Sequence, residues 1–173
     1  MGGDKTAEQL EIGIFETIAQ LGIALAGFTG VVAAFGRRAD GHWSAAEQLQ
    51  LVSLLQWSLI AAFCALSPGA LVFLDIPEET RWQFATAVFA VVHALSLAWF
   101  VLRHFTIGLA SFRPLDRRTA YCGVPASVIV LMAQLGVAFG PLLPWAQFVY
   151  VVALMWVLFV AALSFAYMLL PRP

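Results

Sequence analysis

The chain has 173 residues, of which 62% are hydrophobic and only 11% charged. A water-soluble domain is roughly half apolar and a quarter charged, so both deviations exclude a soluble enzyme, a disordered segment and a nucleic-acid-binding module, and point to an integral membrane protein. Nine Lys and Arg stand against ten Asp and Glu, and the net charge of −1 says less than the positions of the basic residues.

Crossing a bilayer takes about 20 mostly apolar residues, and five stretches qualify: 12–35, 49–74, 84–102, 120–140 and 146–170. The predicted fold is an all-α polytopic membrane bundle of five transmembrane helices, a single domain over residues 1–173. The first span follows a polar tail, MGGDKTAEQLE. It is too long for a signal-peptide core and lacks a small-residue cleavage pattern, so it is expected to be retained.

At about 100° per residue the first span divides into three faces. Ile14, Ile18, Leu21, Leu25, Phe28 and Val32 form a large apolar face expected to meet lipid. Gly22, Ala26 and Gly30, with Ala19, Thr29 and Ala33, form a ladder of small residues that lets another helix approach closely. Glu16 and Gln20, with Ile23, Gly27 and Ala34, form a third, partly polar face. A helix so divided is expected near the middle of a bundle or at a subunit contact.

The connection to the second span ends in Ser44-Ala45-Ala46-Glu47, a capping box. Ser67-Pro68-Gly69 within the second span predicts a kink or break. Pro77 before Glu78 and Glu79 predicts the start of the third helix, with acids at the positive end of its dipole. Pro141 and Pro144 predict a tight turn that makes the last two helices antiparallel neighbours. Polar stripes run along the inner helices: Ser53, Gln56 and Ser67 on the second, Thr86, His93 and Phe100 on the third, Ser127 and Gln134 on the fourth. Tyr150 and Tyr167 stand near the ends of the fifth, where aromatics favour the interface.

Orientation is read from Lys and Arg. Arg37, Arg38, Arg103, Arg113, Arg117, Arg118 and Arg172 fall on one side of the five spans, and Lys5 and Arg81 on the other. This predicts the N-terminus outside and the C-terminus in the cytoplasm, in the inner (plasma) membrane of a bacterium. Arg103, Arg113, Arg117 and Arg118, interleaved with Phe105, Ile107, Leu109 and Phe112, are candidates for contact with lipid headgroups.

Carboxylates and imidazoles cost a few kcal/mol to bury in lipid even on permissive scales, roughly 2.5–3.5 for Asp at mid-membrane. Glu16 and Gln20, about a turn inside the outer boundary, are therefore candidates for an ion site or a hydrated pore mouth. His93 lies near the midpoint of its span, either as a proton- or ligand-binding group or as a neutral ring hydrogen-bonded across the bundle. Gln56 and Gln134 would extend a polar path or serve as glue between helices.

No zinc-protease helix, nucleophile elbow, Walker loop or C-x-x-C motif is present. A non-enzymatic protein with no cofactor or metal is expected. Cys64 and Cys122 are too few for a disulfide framework. His93 and His104 share a face but stand eleven residues apart, about 16 Å at 1.5 Å per residue, too far for two axial ligands of one haem. In length and helix number the chain is similar to the tryptophan-rich sensory proteins that bind porphyrins. It contains no asparagine and its tryptophans fall elsewhere, so no family is assigned.

The leading functional expectation is an oligomeric channel or pore for an ion or small solute, lined by Glu16 and Gln20 with polar groups deeper in. Membrane lipid and further copies of the chain would be its partners. Two alternatives are an accessory or sensor subunit bound to another membrane protein, and a small-ligand binder with a cavity around His93, Trp57 and Trp99.

Overall fold

The computed structural model describes the backbone of residues 3–40, 44–108, 112 and 114–169, and the side chains of 13–34, 44–108, 112, 117 and 119–168. These residues form α1 (Gly3–Asp40), α2 (Ala45–Leu71), α3 (Glu78–Ile107), α4 (Pro114–Ala138) and α5 (Ala146–Leu169), with 3-10 turns at Val72–Leu74 and Leu143–Trp145. Each of the five helices is long and apolar enough to cross a membrane. The third runs well beyond the 84–102 of the hydropathy pattern, because a helix does not stop where its composition turns polar.

The helix ends follow local chemistry. At α2 the Ser44 hydroxyl accepts from Glu47 N–H, and the Glu47 carboxylate accepts from Ser44 N–H at 2.9 Å, closing the capping box. α3 begins directly after Pro77, with Glu78 and Glu79 in its first turn. α4 ends at Ala138, two residues before Gly140, whose φ of 101° is open to glycine. There Leu142 N–H reaches back to Gly136 C=O at 3.0 Å. Gln83 on α3 adds a cap from outside, its side-chain amide donating to Ala138 C=O at 2.7 Å.

α2 passes through Pro68 without a break. Proline has no N–H to give the carbonyl four residues earlier, so Cys64 C=O loses its helical partner. Two hydroxyls take over: Tyr150 on α5 donates to Cys64 C=O at 2.6 Å, and Ser67 donates to it at 2.9 Å. Tyr150 is thus fully buried, not interfacial as its place near a span end suggested. Its aromatic ring fills the core and its hydroxyl reaches a carbonyl that Pro68 leaves without a helical donor.

α5 touches all four other helices, while α2 is the most buried of the five spans. The inner face of α5, Tyr150, Ala153, Leu154, Val157 and Ala161, is completely buried. α1, expected near the middle of a bundle or at a subunit contact, is not at the middle: it lies at the side, packed mainly along α2 with a smaller contact to α5. The buried stripe of α1 is Phe15, Ile18, Ala19, Gly22 and Thr29. Ile18, assigned to the lipid face by angle, is only 5% exposed, because the packed stripe is rotated toward it.

The end of the bundle carrying the starts of α3 and α5 is filled by rings. Tyr150 lies 6.2, 5.8 and 5.4 Å from Phe15, Trp82 and Phe89, all edge-on. Such contacts add to the area that the rings bury.

Candidate functional site

At mid-depth, α3 turns His93 onto α4. Its Nδ1 lies 2.8 Å from Gln134 Oε1, and both residues are completely buried. With the amide oxygen as acceptor, Nδ1 carries a proton. Nε2 of His93 and the amide nitrogen of Gln134 have no hydrogen-bond partner. Phe89 stacks on the imidazole at 6.1 Å and Trp57 meets it edge-on at 5.7 Å. His93 is therefore enclosed by rings and held by a single glutamine.

Below this layer, toward the ends of α1 and α3, the rings give way to space. A cavity of about 520 Å³ lies between α2, α3, α4 and α5. That is within the usual range for small-molecule sites. Leu49 to Trp57 on α2 and Thr119 to Ser127 on α4 each run eight residues along it, roughly 12 Å at 1.5 Å per residue. The void exists because the α4 wall is made of small side chains, Thr119, Ala120, Gly123, Ala126 and Ser127, opposite aromatic ones. A Cβ added at Gly123 would meet nothing within 4 Å.

The other walls are aromatic: Trp57 on α2, Phe100 and His104 on α3, Trp156, Phe159 and Tyr167 on α5. Phe112, from the segment joining α3 to α4, is buried and stacks on His104 at 3.9 Å, closing one end. Phe112 was expected at the interface with the arginines; it folds under the bundle instead. Among the described lining residues there is no Asp, Glu, Lys or Arg. The polar side chains on the walls are Gln50, Ser53, His104, Thr119, Ser127, Ser164 and Tyr167, with the indoles of Trp57 and Trp156. Trp156 N–H donates to the Ser127 hydroxyl at 2.9 Å, and Thr119 donates to the Tyr167 hydroxyl at 3.1 Å. The Ser53 hydroxyl is buried without a partner.

The remaining sequence candidates are dispersed. Glu16 and Gln20 lie on an exposed face of α1, away from the buried His93–Gln134 pair. Gln56 is half-buried and donates to the Ser96 hydroxyl across the α2–α3 contact at 2.9 Å. At Gly22 α1 packs tightly on α2: an added Cβ would stand 2.6 Å from Ser58 C=O and 3.1 Å from the Ala62 Cβ. Ala26 is half-buried, and Gly30 is exposed with nothing within 4 Å of its Cβ position. Arg103 is exposed and Arg117 half-buried. The side chains of Arg113 and Arg118 lie outside the described residues, as do those of Arg37 and Arg38. No group of His, Cys, Asp and Glu able to hold a metal ion occurs among the described residues.

Comparison with known protein families, with curated proteins and with solved structures finds no match to this chain. The site must therefore be read from its own chemistry. The expected cavity around His93, Trp57 and Trp99 is present in displaced form: Trp57 lines it, but His93 is sealed in the ring layer and Trp99 packs elsewhere, against Ala46, Leu49 and Phe112 with Phe100 and Ile107. The residues missed were His104, Ser127 as a wall, Trp156 and Tyr167. One signal was available: TAYCGVPAS, residues 119–127, is rich in small side chains exactly where the fifth span offers Trp156, Phe159 and Tyr167.

Proposed function

We propose that this protein binds a small, largely apolar molecule inside the membrane, in the cavity between α2 and α5. The observation that carries the reading is the cavity itself: about 520 Å³ of space at membrane depth, walled by aromatics, with a few hydroxyls, the Gln50 amide and the His104 imidazole, and with no Asp, Glu, Lys or Arg among the described lining residues. Such a lining rejects ions and strongly polar solutes, which would lose hydration without gaining partners. Phe159, 54% exposed, and the exposed Cys122 stand on its α5 and α4 walls, so the molecule would arrive sideways from the lipid. By the arginine distribution this end of the bundle faces the cytoplasm, which suits a carrier or sensor reporting on membrane content.

The test is occupancy. Full-length protein in lipid nanodiscs is titrated with a brominated apolar aromatic, and tryptophan emission is followed. The expected result is a saturable quenching component from Trp57 and Trp156 that disappears in Gly123→Phe, whose ring occupies the void. A quenching curve unchanged in Gly123→Phe would overturn the reading.

A second reading, an oligomeric pore, is favoured by one observation: Glu16 and Gln20 share an exposed α1 face that its own subunit leaves uncovered. Its deeper lining would have to come from elsewhere, since His93 and Gln134 are fully buried within the subunit. Conductance in planar bilayers that is unchanged by Glu16→Ala would remove it. The accessory-subunit alternative predicts a chain unstable when purified alone.

A further inference from the structure

We infer that the molecule held in this cavity is a neutral, flat ring carrying carbonyl oxygens and an apolar tail, the chemistry of a membrane quinone. The inference rests on the binding reading above and adds to it the class of ligand. Three features of the lining select this class. The first is charge. With no Asp, Glu, Lys or Arg on the described walls, a carboxylate, phosphate or ammonium on the ligand would be desolvated without a counter-ion. The second is shape. Aromatic faces and edges from three helices, Trp57, Phe100, Trp156 and Phe159, offer stacking and edge contacts to a planar ring. An aliphatic chain alone would use none of that geometry.

The third is hydrogen-bond balance. Ser53 is 3% exposed, and its hydroxyl has no partner. A buried orphan hydroxyl is costly, and rotation about its one side-chain torsion is all that separates it from the cavity the residue lines. On the α4 wall of the same cavity, Ser127 accepts from Trp156 and gives no hydrogen bond of its own among the described residues. Two hydroxyl hydrogens are thus available, while one of the two oxygens already accepts. A ligand that brings acceptors completes the account, and a carbonyl brings only acceptors. The cavity is also longer than a ring is wide, roughly 12 Å along the helix axes. The surplus suits the first units of a tail that leaves past Phe159 and Cys122 into lipid.

The experiment uses the full chain in phosphatidylcholine nanodiscs, with three probes bearing the same ten-carbon tail: decylubiquinone, decylbenzene and decanoate. Tryptophan quenching reports the quinone; displacement of bound quinone reports the other two. Expected are saturable quinone binding, displacement at least tenfold weaker by decylbenzene, and none by decanoate. Ser53→Ala should weaken quinone binding about 3- to 10-fold, the worth of one neutral hydrogen bond. It should leave the melting temperature of the ligand-free protein equal or higher, because it removes an orphan rather than a bond. A merely structural serine would move the second readout downward and leave the first alone. Gly123→Phe, or Ala120→Phe should the first variant not fold, should abolish saturable binding. If decylbenzene displaces as well as the quinone, or Ser53→Ala binds normally, the carbonyl-ring assignment is overturned while the cavity remains a binding site. If the filled variants bind quinone like the parent, both are overturned.

Discussion

Tyr150→Phe removes one oxygen from the centre of the bundle, and its effect can be worked from the contacts. The lost hydroxyl donates to Cys64 C=O at 2.6 Å and lies 2.7 Å from the Ser67 hydroxyl. The ring and its contacts with Phe15, Trp82 and Phe89 remain. An orphaned buried carbonyl costs about 1–3 kcal/mol. Here Ser67 still donates to Cys64 C=O at 2.9 Å. Interhelical hydrogen bonds in membranes average only about 0.6 kcal/mol. The expected cost is therefore about 1 kcal/mol. The discriminating variant is Pro68→Ala, which restores an N–H to position 68 and gives Cys64 C=O its helical donor back. In that background Tyr150→Phe should cost about 0.5 kcal/mol less or better, a coupling within the range of contacting residues. The assay is reversible unfolding of all four proteins in mixed detergent micelles, read as a double-mutant cycle. Equal costs in the two backgrounds would refute the claim that Tyr150 compensates the proline. Tyr150→Ala, which also removes the ring contacts, should cost about 3–5 kcal/mol.

Other substitutions separate further parts of the structure. Gly22→Ala drives a methyl toward Ser58 C=O and should destabilise by about 1–3 kcal/mol in the same assay, whereas Gly30→Ala should fall within about 0.5 kcal/mol of the parent. Gln134→Leu leaves the His93 Nδ1–H buried without an acceptor and should cost about 1–3 kcal/mol, with the double variant His93→Phe/Gln134→Leu less affected than Gln134→Leu alone. A membrane-permeant thiol reagent should label Cys122, exposed on α4, well before Cys64, buried in α2; mass spectrometry of Cys64→Ala and Cys122→Ala forms assigns the sites.

Five helices were legible because 20 apolar residues in a row can do little else, and their ends because Ser44, Glu47, Pro77 and Gly140 act on the chain locally. The heptad face of α3 was legible too: Thr86 and His93 are both fully buried. What the pattern could not give was the angular offset between neighbours. In lipid both a packed face and a lipid face are apolar, so a stripe such as Ile14 and Ile18 on α1 carries no mark of which member is covered. Ile18 is buried and Ile14 is 46% exposed. Nor could it give the cavity, because a void arises between elements: the small residues of 119–127 become a site only once Trp57 and Trp156 stand across from them. Tyr150 illustrates the same limit, since its need for Cys64 C=O spans 86 positions.

The cap that Gln83 places on Ala138 C=O fixes more than a helix end. Together with the Gly136–Leu142 turn, it anchors α4 at the ring-filled end of the bundle, while the helix's first turns lie over empty space. Along the cavity the same helix is tied to α5 by the Trp156–Ser127 and Thr119–Tyr167 hydrogen bonds. From Ala138 back to Thr119 it is about 28 Å long at 1.5 Å per residue, so a tilt of about 5° would carry its far end some 2.5 Å. Pro125, within that arm, removes a helical hydrogen bond along the way. A bound molecule that tilted α4 about this anchor would therefore move the segment that bears Arg117, so that events in the cavity would be felt at the start of the helix.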